Sequence, residues 1–391
     1  MASTDNPISR LIESHRPNLD DYIPIYKHLH AHPELSFQEA TTANTIISHL
    51  KQINPSLTIH ANIGGHGLAA VLKNSSSGPT VLLRSDMDGL PVLERTNLPY
   101  ASKARQTDAA DGKEKPVMHA CGHDMHMTSL LAACALLSSC TDSWTGTLVF
   151  LFQPAEERGA GAQAMVDGGL YEKVPVPDVV LGGHVMPYRA GNVGTRRGLM
   201  GSAADSMAIT LFGRGGHASQ PQALVDPVVM AASAVVRLQS IVSREVNPAE
   251  GAVVTVGSIV AGEAENVVPD TASLKLNVRT FTAGTRKKVL GSVERIVKAE
   301  CMASNAVKEP EFERTSGFPF LMNDDEVTKK LEKTFGMHFK TWTGKEGYLD
   351  QAPRLGGSED FGILGKFIVV RLLTALPTCP QPRSLEEVSH R

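Results

Sequence analysis

A stretch of ten residues, Met118–Met127, contains one cysteine, three histidines and one aspartate. Cys121 and His123 are separated by a single glycine, and a thiolate and an imidazole at that spacing can bind the same transition-metal ion. The metal would ionise the thiol that binds it. The alternative, a buried cysteine beside a capping histidine, leaves unexplained why further ligand-type residues crowd the same turn. The stretch therefore predicts a metal site.

Two adjacent acids and another histidine extend this set of candidate ligands. Glu156 and Glu157 follow an apolar stretch and a proline, and His184 follows two glycines. Neighbouring residues of an extended segment point in opposite directions, so one acid can bind metal while the other acts as a base. Such a base would take a proton from water whose pKa the metal lowers to about 7. A structural histidine is the alternative for His184, and we favour the ligand role because the other ligands are present.

Several neighbouring polar residues support the site instead of binding metal in this interpretation. Asp86 and Asp88 come at the end of a predicted strand, where a turn or capping role is the alternative to support of the metal site. We expect Asp124 or Asp88 to orient a histidine ligand through its second ring nitrogen. His119 and His126 fit packing or support of a ligand better than direct binding.

Three polar residues in the second half of the chain have ordinary explanations as well as functional ones. His217 lies in a glycine-rich loop, where an imidazole can stabilise an oxyanion if the loop reaches the site. The glycines alone would also make a turn. Asn266 and Arg279 fit substrate contacts, and equally an ordinary loop asparagine and strand arginine. Spacing alone leaves these alternatives open.

The segments that position these residues alternate between strand and helix patterns. Ser36 with Glu39 predicts a capping box that opens a helix at Ala40, and a second helix is predicted over Asp124–Leu137. The alternation predicts an α/β catalytic domain with a mixed, largely parallel sheet flanked by helices. Ligands of such folds bind at the carboxyl ends of the strands. Short apolar stretches that predict buried strands are Gly67–Leu72, Thr80–Arg84, Thr147–Phe152 and Val179–Leu181.

The pattern changes near Gly198 to the order β-α-β-β-α-β, which predicts an inserted ferredoxin-like domain. We therefore predict a catalytic domain over residues 1–197 and 313–391, interrupted by an inserted lid or dimerisation domain over 198–312. The tail Thr378–Arg391 is rich in proline and then charged, and we expect it to be poorly ordered. The inserted elements are predicted at Ser206–Phe212, Asp226–Val242, Ala252–Val260, Thr271–Phe281, Gly284–Met302 and Pro310–Arg314.

Composition excludes several classes of protein. The chain has 391 residues, which suits two domains better than one core. Its net charge of −3 gives no reason to expect a nucleic-acid partner or an anionic membrane surface. No apolar stretch approaches the roughly 20 residues of a membrane span, and the polar N-terminus lacks a secretory signal. The five cysteines are irregularly spaced, so we expect no disulfide framework and a cytoplasmic location.

Eight motifs, in order over roughly residues 25–362, resemble those of the di-metal N-acyl-amino-acid amidohydrolases. This family includes hippurate hydrolase, aminoacylases and related carboxypeptidases, and the plant indole-3-acetyl-amino-acid hydrolases. Each motif alone is unspecific, whereas the set is highly specific. The motifs are H-P-E-L-S-F-Q-E at His32, R-S-D-M-D-G-L-P at Arg84, M-H-A-C-G-H-D-M-H at Met118, F-Q-P-A-E-E at Phe152, G-G-H-V at Gly182, G-R-G-G-H-A-S-Q-P at Gly213, N-V-V-P-D at Asn266 and G-S-E-D-F at Gly357.

The resemblance implies metal ligands and a catalytic base. Cys121 would bridge two divalent metals, and His123 and His184 would complete the ligands of one. Glu157 would bind the other metal. Glu156 would be the general base and afterwards the acid. The metals of the family are zinc, manganese, cobalt or nickel, and thiolate with imidazole does not select among them.

The resemblance also implies a substrate and an assembly. The substrate would be a small N-acyl amino acid, cleaved to a carboxylic acid and a free amino acid. Asp88 would orient the site, and His217 on the inserted domain would stabilise the oxyanion, often across a dimer interface. Asn266 and Arg279 match positions that contact substrate. A homodimer through the inserted domain is therefore expected.

The C-terminus departs from the family pattern. The family continues after G-S-E-D-F to a histidine near H-S-P that completes the metal on the Glu157 side. This chain has no H-S-P, and His390 is its last histidine, without a matching context. We therefore expect one or two metals per chain, with a mononuclear or impaired enzyme as a hypothesis. A dipeptidase or carboxypeptidase on the same site, or a metal-binding protein without catalytic activity, are the alternatives.

Overall fold

A computed structural model describes residues 6–343, 347–365 and 367–372 of the chain. His390 and the tail Thr378–Arg391 lie outside the described residues. In the described part no helix has the length and apolar character needed to cross a membrane. The α-helices are α1 Pro7–His15, α2 Ile23–Ala31, α3 Ala40–Ile53, α4 His123–Ser139, α5 Gly161–Asp167, α6 Leu170–Lys173, α7 Pro227–Ser240, α8 Ala283–Ala303 and α9 Asp325–Thr343.

The strands form one large mixed sheet, one four-stranded sheet and three two-stranded ones. Their bounds are β1 Thr58–Ile63, β2 Gly67–Lys73, β3 Thr80–Asp86, β4 Arg105–Thr107, β5 Glu114–Pro116, β6 Thr147–Gln153, β7 Val179–Val185, β8 Val193–Gly194, β9 Gly198–Gly201, β10 Ala203–Phe212, β11 Gly216–His217, β12 Ala252–Val260, β13 Val267–Val268, β14 Thr271–Thr280, β15 Lys308–Phe318, β16 Leu321–Asn323, β17 Tyr348–Leu349 and β18 Phe367–Leu372.

The large sheet has the order β1-β2-β6-β3-β7-β18-β8-β17. Its centre, β6-β3-β7-β18, is parallel, and antiparallel pairs join β1, β2 and β6 on one side and β18 to β8 on the other. All seven residues of β6 are buried, as expected of a strand covered on both faces. The α/β class with a mixed, largely parallel sheet is confirmed.

Helices cover both faces of this sheet. Successive residues of β6 point to opposite faces, so each face of the strand packs against different helices. Phe150 packs in one cluster with Leu131 of α4 and Ile46 of α3. Leu151 packs in another cluster with Met165 of α5. Since β3, β6 and β7 are parallel, their carboxyl ends share one edge of the sheet, where the sequence places acids and a histidine.

The four-stranded sheet has the order β12-β14-β10-β15 and is antiparallel throughout. Its buried side chains form a core of their own with α7 and α8. The chain order is β10-α7-β12-β14-α8-β15, which is the predicted ferredoxin-like unit. The domain boundaries at 197/198 and 312/313 stay a prediction, and residue 312 lies within β15, which continues to Phe318.

The predicted capping box at α3 is wrong. Glu39 lies at the N-cap but makes no side-chain cap bond, and Ser36 donates its hydroxyl to Asp88 instead. The carboxylate of Glu34 accepts the amides of Thr41 and Thr42 in the first turn, at 3.2 and 2.8 Å. The helix therefore starts as expected, while Ser36 and Glu39 are engaged with other parts of the catalytic domain.

Candidate metal centre

A glycine brings the two candidate ligands of the central motif together. Gly122 is the N-cap of α4 and has a left-handed φ of 80°. A Cβ atom there would lie 2.3 Å from Cγ2 of Val185, so no larger residue fits without movement. The chain turns at this point, with Cys121 just before the helix and His123 as its first residue.

Cys121, His123 and His184 form one group of candidate ligands, whose ligand atoms all lie within 4.8 Å of one another. The Sγ atom of Cys121 is 3.4 Å from Nε2 of His184. Nδ1 of His184 donates to the carbonyl of Val185 at 2.6 Å, which leaves Nε2 as the acceptor facing the sulfur. Burial lowers the pKa of His184 to about 4 and raises the pKa of the Cys121 thiol.

His123 lies at the centre of the cluster. Its Nδ1 donates to the carbonyl of Asp88 at 2.8 Å, which fixes the ring. Its Nε2 is buried and has no hydrogen-bond partner among the described residues. That atom lies 3.6 Å from Asp86, 3.8 Å from Glu157 and 4.0 Å from Glu156, measured to a carboxylate oxygen.

The sequence predicted that the two adjacent acids lie in an extended segment, and this prediction is wrong. Glu156–Arg158 is a turn of 3₁₀ helix that follows Ala155 at a φ of 50°. Both acids therefore face His123, and their ligand atoms group with it within 4.8 Å. Their amides donate to the carboxylate of Asp88 at 3.2 Å and 3.0 Å, so a buried acid bends the segment toward the site.

The donor set fits a divalent transition metal. Nε2 of His123 and Oε1 of Glu157 are buried polar atoms without a partner in the described residues, and such atoms are costly unless something binds them. Burial raises the pKa of Glu157 to about 7. It raises the pKa of Glu156 as well, with the charge of Glu359 as the next cause. A cation would relieve this concentration of acids.

The remaining polar residues of the motif support the cluster or lie beside it. His126 is no free ligand: its Nδ1 donates to Asp86 at 2.6 Å, and its Nε2 accepts a backbone amide of β7 at 2.9 Å. Asp124 accepts from His30 at 2.6 Å. His119 is buried without a partner for either ring nitrogen in the described chain, and burial lowers its pKa to about 4.

Sequence reasoning missed a buried ionic network behind the site. Arg84 donates to Asp86 at 2.7 Å, to Glu359 at 2.9 Å and to Gln153 at 2.9 Å. Asp360 completes the network, 3.4 Å from the guanidinium. The available signal was an arginine inside an apolar strand, because a buried charge needs partners of opposite sign.

The three predicted residues of the inserted domain have hydrogen-bond partners outside the cluster. His217 is exposed in β11, and its Nδ1 lies 2.7 Å from the hydroxyl of Ser219. Asn266 is exposed beside it, with its carbonyl accepting the amide of Ala218. Arg279 donates to the carbonyl of Gly356 at 2.8 Å. Within the described residues no hydrogen bond joins any of them to the candidate metal ligands, and their predicted roles stay predictions.

The chain belongs to peptidase family M20/M25/M40, whose model matches residues 82–377. It is 38% identical over 343 residues to hippurate hydrolase of Campylobacter jejuni, covering 88% of this chain and 84% of that protein. It is 37% identical over 369 residues to N-acetyl-L-cysteine deacetylase of Bacillus subtilis, covering 92% and 82%. It is also 37% identical over 331 residues to N-acyl-L-amino acid amidohydrolase of Geobacillus stearothermophilus, covering 83% and 82%.

Solved structures agree with this membership. A protein of methicillin-resistant Staphylococcus aureus superposes with a TM-score of 0.78 at 30% identity, over 95% of this chain and 90% of that one. A dinuclear metal-binding peptidase of the M20 family from Bacillus subtilis superposes with a TM-score of 0.69 at 28% identity, over 90% and 88%. The family and fold expected from the motifs are confirmed, while the role of each site residue stays a prediction.

Proposed function

We propose that the chain is a metal-dependent amidohydrolase that cleaves N-acyl amino acids to a carboxylic acid and a free amino acid. The observation that carries this proposal is that Cys121, His184, Glu156 and Glu157 group around His123, whose Nε2 has no partner among the described residues. A thiol, two imidazoles and two carboxylates at the carboxyl edge of a parallel sheet match metal-assisted hydrolysis.

The proposed metal ligands are Cys121, His123, Glu157 and His184. A divalent metal bound there supplies Lewis acidity, which makes water a nucleophile near neutral pH. Asp88 orients His123 through its carbonyl and the acidic turn through its carboxylate. Thiol, imidazole and carboxylate together suit zinc, manganese, cobalt or nickel.

Glu156 is the proposed general base. It takes a proton from the attacking water and then passes that proton to the leaving amine. Glu156 is buried and its ligand atom groups with those of His123 and Glu157, which places it beside the proposed metal. His217 stabilises the oxyanion in this proposal, reaching the site from a second copy of the chain.

Small N-acyl amino acids are the proposed substrates, since three curated relatives are a hippurate hydrolase, an N-acetyl-L-cysteine deacetylase and an N-acyl-L-amino acid amidohydrolase. Asn266 and Arg279 are the proposed contacts to the substrate. Side-by-side assays of N-acetyl, hippuryl and indole-acetyl amino acids against dipeptides separate this activity from that of a dipeptidase or carboxypeptidase.

A homodimer through the inserted domain is supported by an apolar edge. β12 is the edge strand of its sheet, and Val253, Ile259 and Val260 are 48%, 51% and 64% exposed on it. α7 packs against this sheet and leaves Val229 and Val236 exposed by 61% and 74%. A strand edge that no other described strand covers, with apolar side chains on it, is a template for pairing with a second copy.

The number of metals per chain depends on the departing C-terminus. His338, the last histidine before the tail, lies 2.8 Å from the hydroxyl of Ser9 and belongs to no group of candidate ligands within the described residues. We therefore propose one firmly bound metal per chain and a second that is weak or absent. The cytoplasm is the proposed compartment, since the four cysteines of the described residues are free thiols.

Metal analysis combined with hydrolysis of N-acyl amino acids tests this function directly. Purified protein should bind divalent metal and release the amino acid. Glu156→Gln should keep the metal and lose turnover by roughly 10²-fold or more, as removal of a general base does. Glu157→Gln should instead lose metal. Turnover of Glu156→Gln within tenfold of the parent would refute the base assignment, and two tightly held metals with full turnover would refute the weak second metal.

A further inference from the structure

The carboxylate of Glu39 accepts hydrogen bonds from two residues whose backbone conformation is unusual. Glu39 is fully buried. Its Oε1 accepts hydrogen bonds from the amides of Phe37 at 2.9 Å and Ala155 at 2.8 Å. Both of those residues have positive φ, 64° and 50°, although neither is a glycine. Such conformations persist only where surrounding contacts impose them.

Ala155 directly precedes the turn that carries the two acids of the metal centre. Three consecutive backbone amides, those of Ala155, Glu156 and Glu157, donate hydrogen bonds to buried carboxylates. The first donates to Glu39, and the other two donate to Asp88. Three consecutive amides bound in this way determine the direction in which both acidic side chains leave the backbone.

The environment of Glu39 argues against a packing role. Its Oε2 is buried without a hydrogen-bond partner among the described residues, which an apolar side chain of similar size would avoid. Burial, and then the charge of Asp88, raise the pKa of Glu39 to about 7. An acid is therefore retained in a place that disfavours acids, where its Oε1 accepts the backbone amides of Phe37 and Ala155.

We propose that Glu39 is a positioning residue of the metal centre, holding Ala155 in the conformation from which Glu156 and Glu157 reach the cluster. It acts through the backbone, since its hydrogen bonds go to the amides of Phe37 and Ala155. Its effect on turnover rests on the proposed function, whereas its effect on metal binding does not.

Glu34 offers a matched control in the same segment. Its carboxylate also accepts two backbone amides, but these belong to the first turn of α3 and not to the acidic turn. Glu39→Leu and Glu34→Leu thus remove the same group at two places. Both should lower the melting temperature, while Glu39→Leu alone should impair the metal centre.

The probe is Co²⁺ titrated into metal-free full-length protein, with thiolate absorption reporting the bound ion. Glu39→Leu should weaken Co²⁺ binding by roughly 10–100-fold, the usual loss when groups behind the ligands are removed. It should lower kcat by roughly 10²-fold with little change in KM, as a misplacement of about 1 Å does. Glu39→Gln keeps the accepting oxygen and should stay near the parent in both.

Ala155→Gly provides a rescue that a packing role does not predict. Glycine adopts a φ near 50° without strain, so Glu39→Leu with Ala155→Gly should regain part of the Co²⁺ affinity and of kcat. If Glu39→Leu does not fold, Glu39→Asp replaces it, because the shorter side chain loses reach to Ala155 while remaining an acid.

Two results would overturn the proposal. One is parent-like Co²⁺ affinity in Glu39→Leu and Glu39→Asp. The other is an equal loss of Co²⁺ affinity in Glu34→Leu, with no rescue by Ala155→Gly. A parent that binds Co²⁺ but hydrolyses no N-acyl amino acid would refute the proposed function, and the Co²⁺ titrations alone would then decide on Glu39.

Discussion

Arg84 and Glu359 are 275 residues apart in the chain, yet Nη2 of Arg84 donates a 2.9 Å hydrogen bond to Oε1 of Glu359 in the interior. Asp86 and Asp360 share the same guanidinium. The network ties β3 to the segment before β18, beside the proposed base Glu156. It is therefore expected to stabilise both the fold and the site.

Arg84→Met should destabilise the protein by about 3–5 kcal/mol, because three buried carboxylates lose their counter-ion. Urea denaturation at neutral pH measures the change. The exposed pair Arg105–Glu114, at 52% and 63% side-chain exposure, is the control, and Arg105→Ala should cost less than about 1 kcal/mol. Equal effects of the two substitutions would show that the buried network stabilises the fold no more than an exposed ion pair does.

Gly122→Ala should cost stability and metal affinity together. The new Cβ atom would meet Val185 at 2.3 Å, and the φ of 80° disfavours any side chain. Gly112→Ala is the control, since Gly112 has a similar φ of 67° but no atom within 4 Å of the point where a Cβ would lie. Thermal melts should show a lower melting temperature for both variants, because both carry backbone strain. Co²⁺ titrations should show weaker metal binding only for Gly122→Ala. Addition of Val185→Ala should restore part of that loss.

His30 should make stability depend on pH. Burial lowers its pKa, but its hydrogen bonds to Asp124 and Glu94 raise it further, to about 9 from the ordinary 6.5. Because the folded-state value lies above the unfolded one, the stabilisation is complete below pH 6.5 and is lost as the pH rises to about 9. The loss should be on the order of 2–3 kcal/mol.

Urea denaturation of the parent and of His30→Gln between pH 6 and pH 9 checks this expectation. The variant should be less stable at the acidic end and should lose less stability as the pH rises. His32→Gln, at an exposed histidine of the same segment, is the control for replacing a histidine. A parent whose stability rises over this interval would contradict the sign of the effect.

The apolar edge of the inserted domain should hold two copies together. Ile259→Lys places a charge on the edge strand β12 and should convert a dimer to a monomer in light scattering after gel filtration. Val176→Lys, at a valine that is 69% exposed outside that domain, should leave the dimer intact. If His217 acts on the partner's site, mixed dimers of His217→Ala and Glu156→Gln should regain activity that neither variant has alone. A monomeric parent would refute the dimer.

Short apolar stretches of the sequence predicted the strands of the catalytic domain well. The apolar stretches at β3, β6 and β7 placed Asp86, the acidic pair and His184 at one edge, because parallel strands align their carboxyl ends. Two local interpretations were wrong. Glu39 matched a capping box but binds Ala155, 116 residues away, and the acidic pair forms a turn because Asp88 accepts its amides.

Interactions across long distances in the chain left little sequence signal. The partners of Arg84 could not be predicted from one sequence, since any acid of the chain could have been one of them. The exposure of His217 and the bond from Arg279 to Gly356 depend on how the two sheets are placed. Types of residue predicted the candidate ligands, which the fold brings together, while the groups that orient them became visible only with the fold.

The proposed metal ligands come from separate parts of the fold: the turn into α4 with its first residue, the turn after β6 and the end of β7. These parts meet only in the folded chain, so the unfolded chain cannot offer the same site. Metal binding therefore adds directly to folding stability, by about 2.7 kcal/mol at a free concentration one hundred times Kd. A chelator should act on this protein as a mild denaturant, and the shift in melting temperature with metal concentration becomes a measure of affinity.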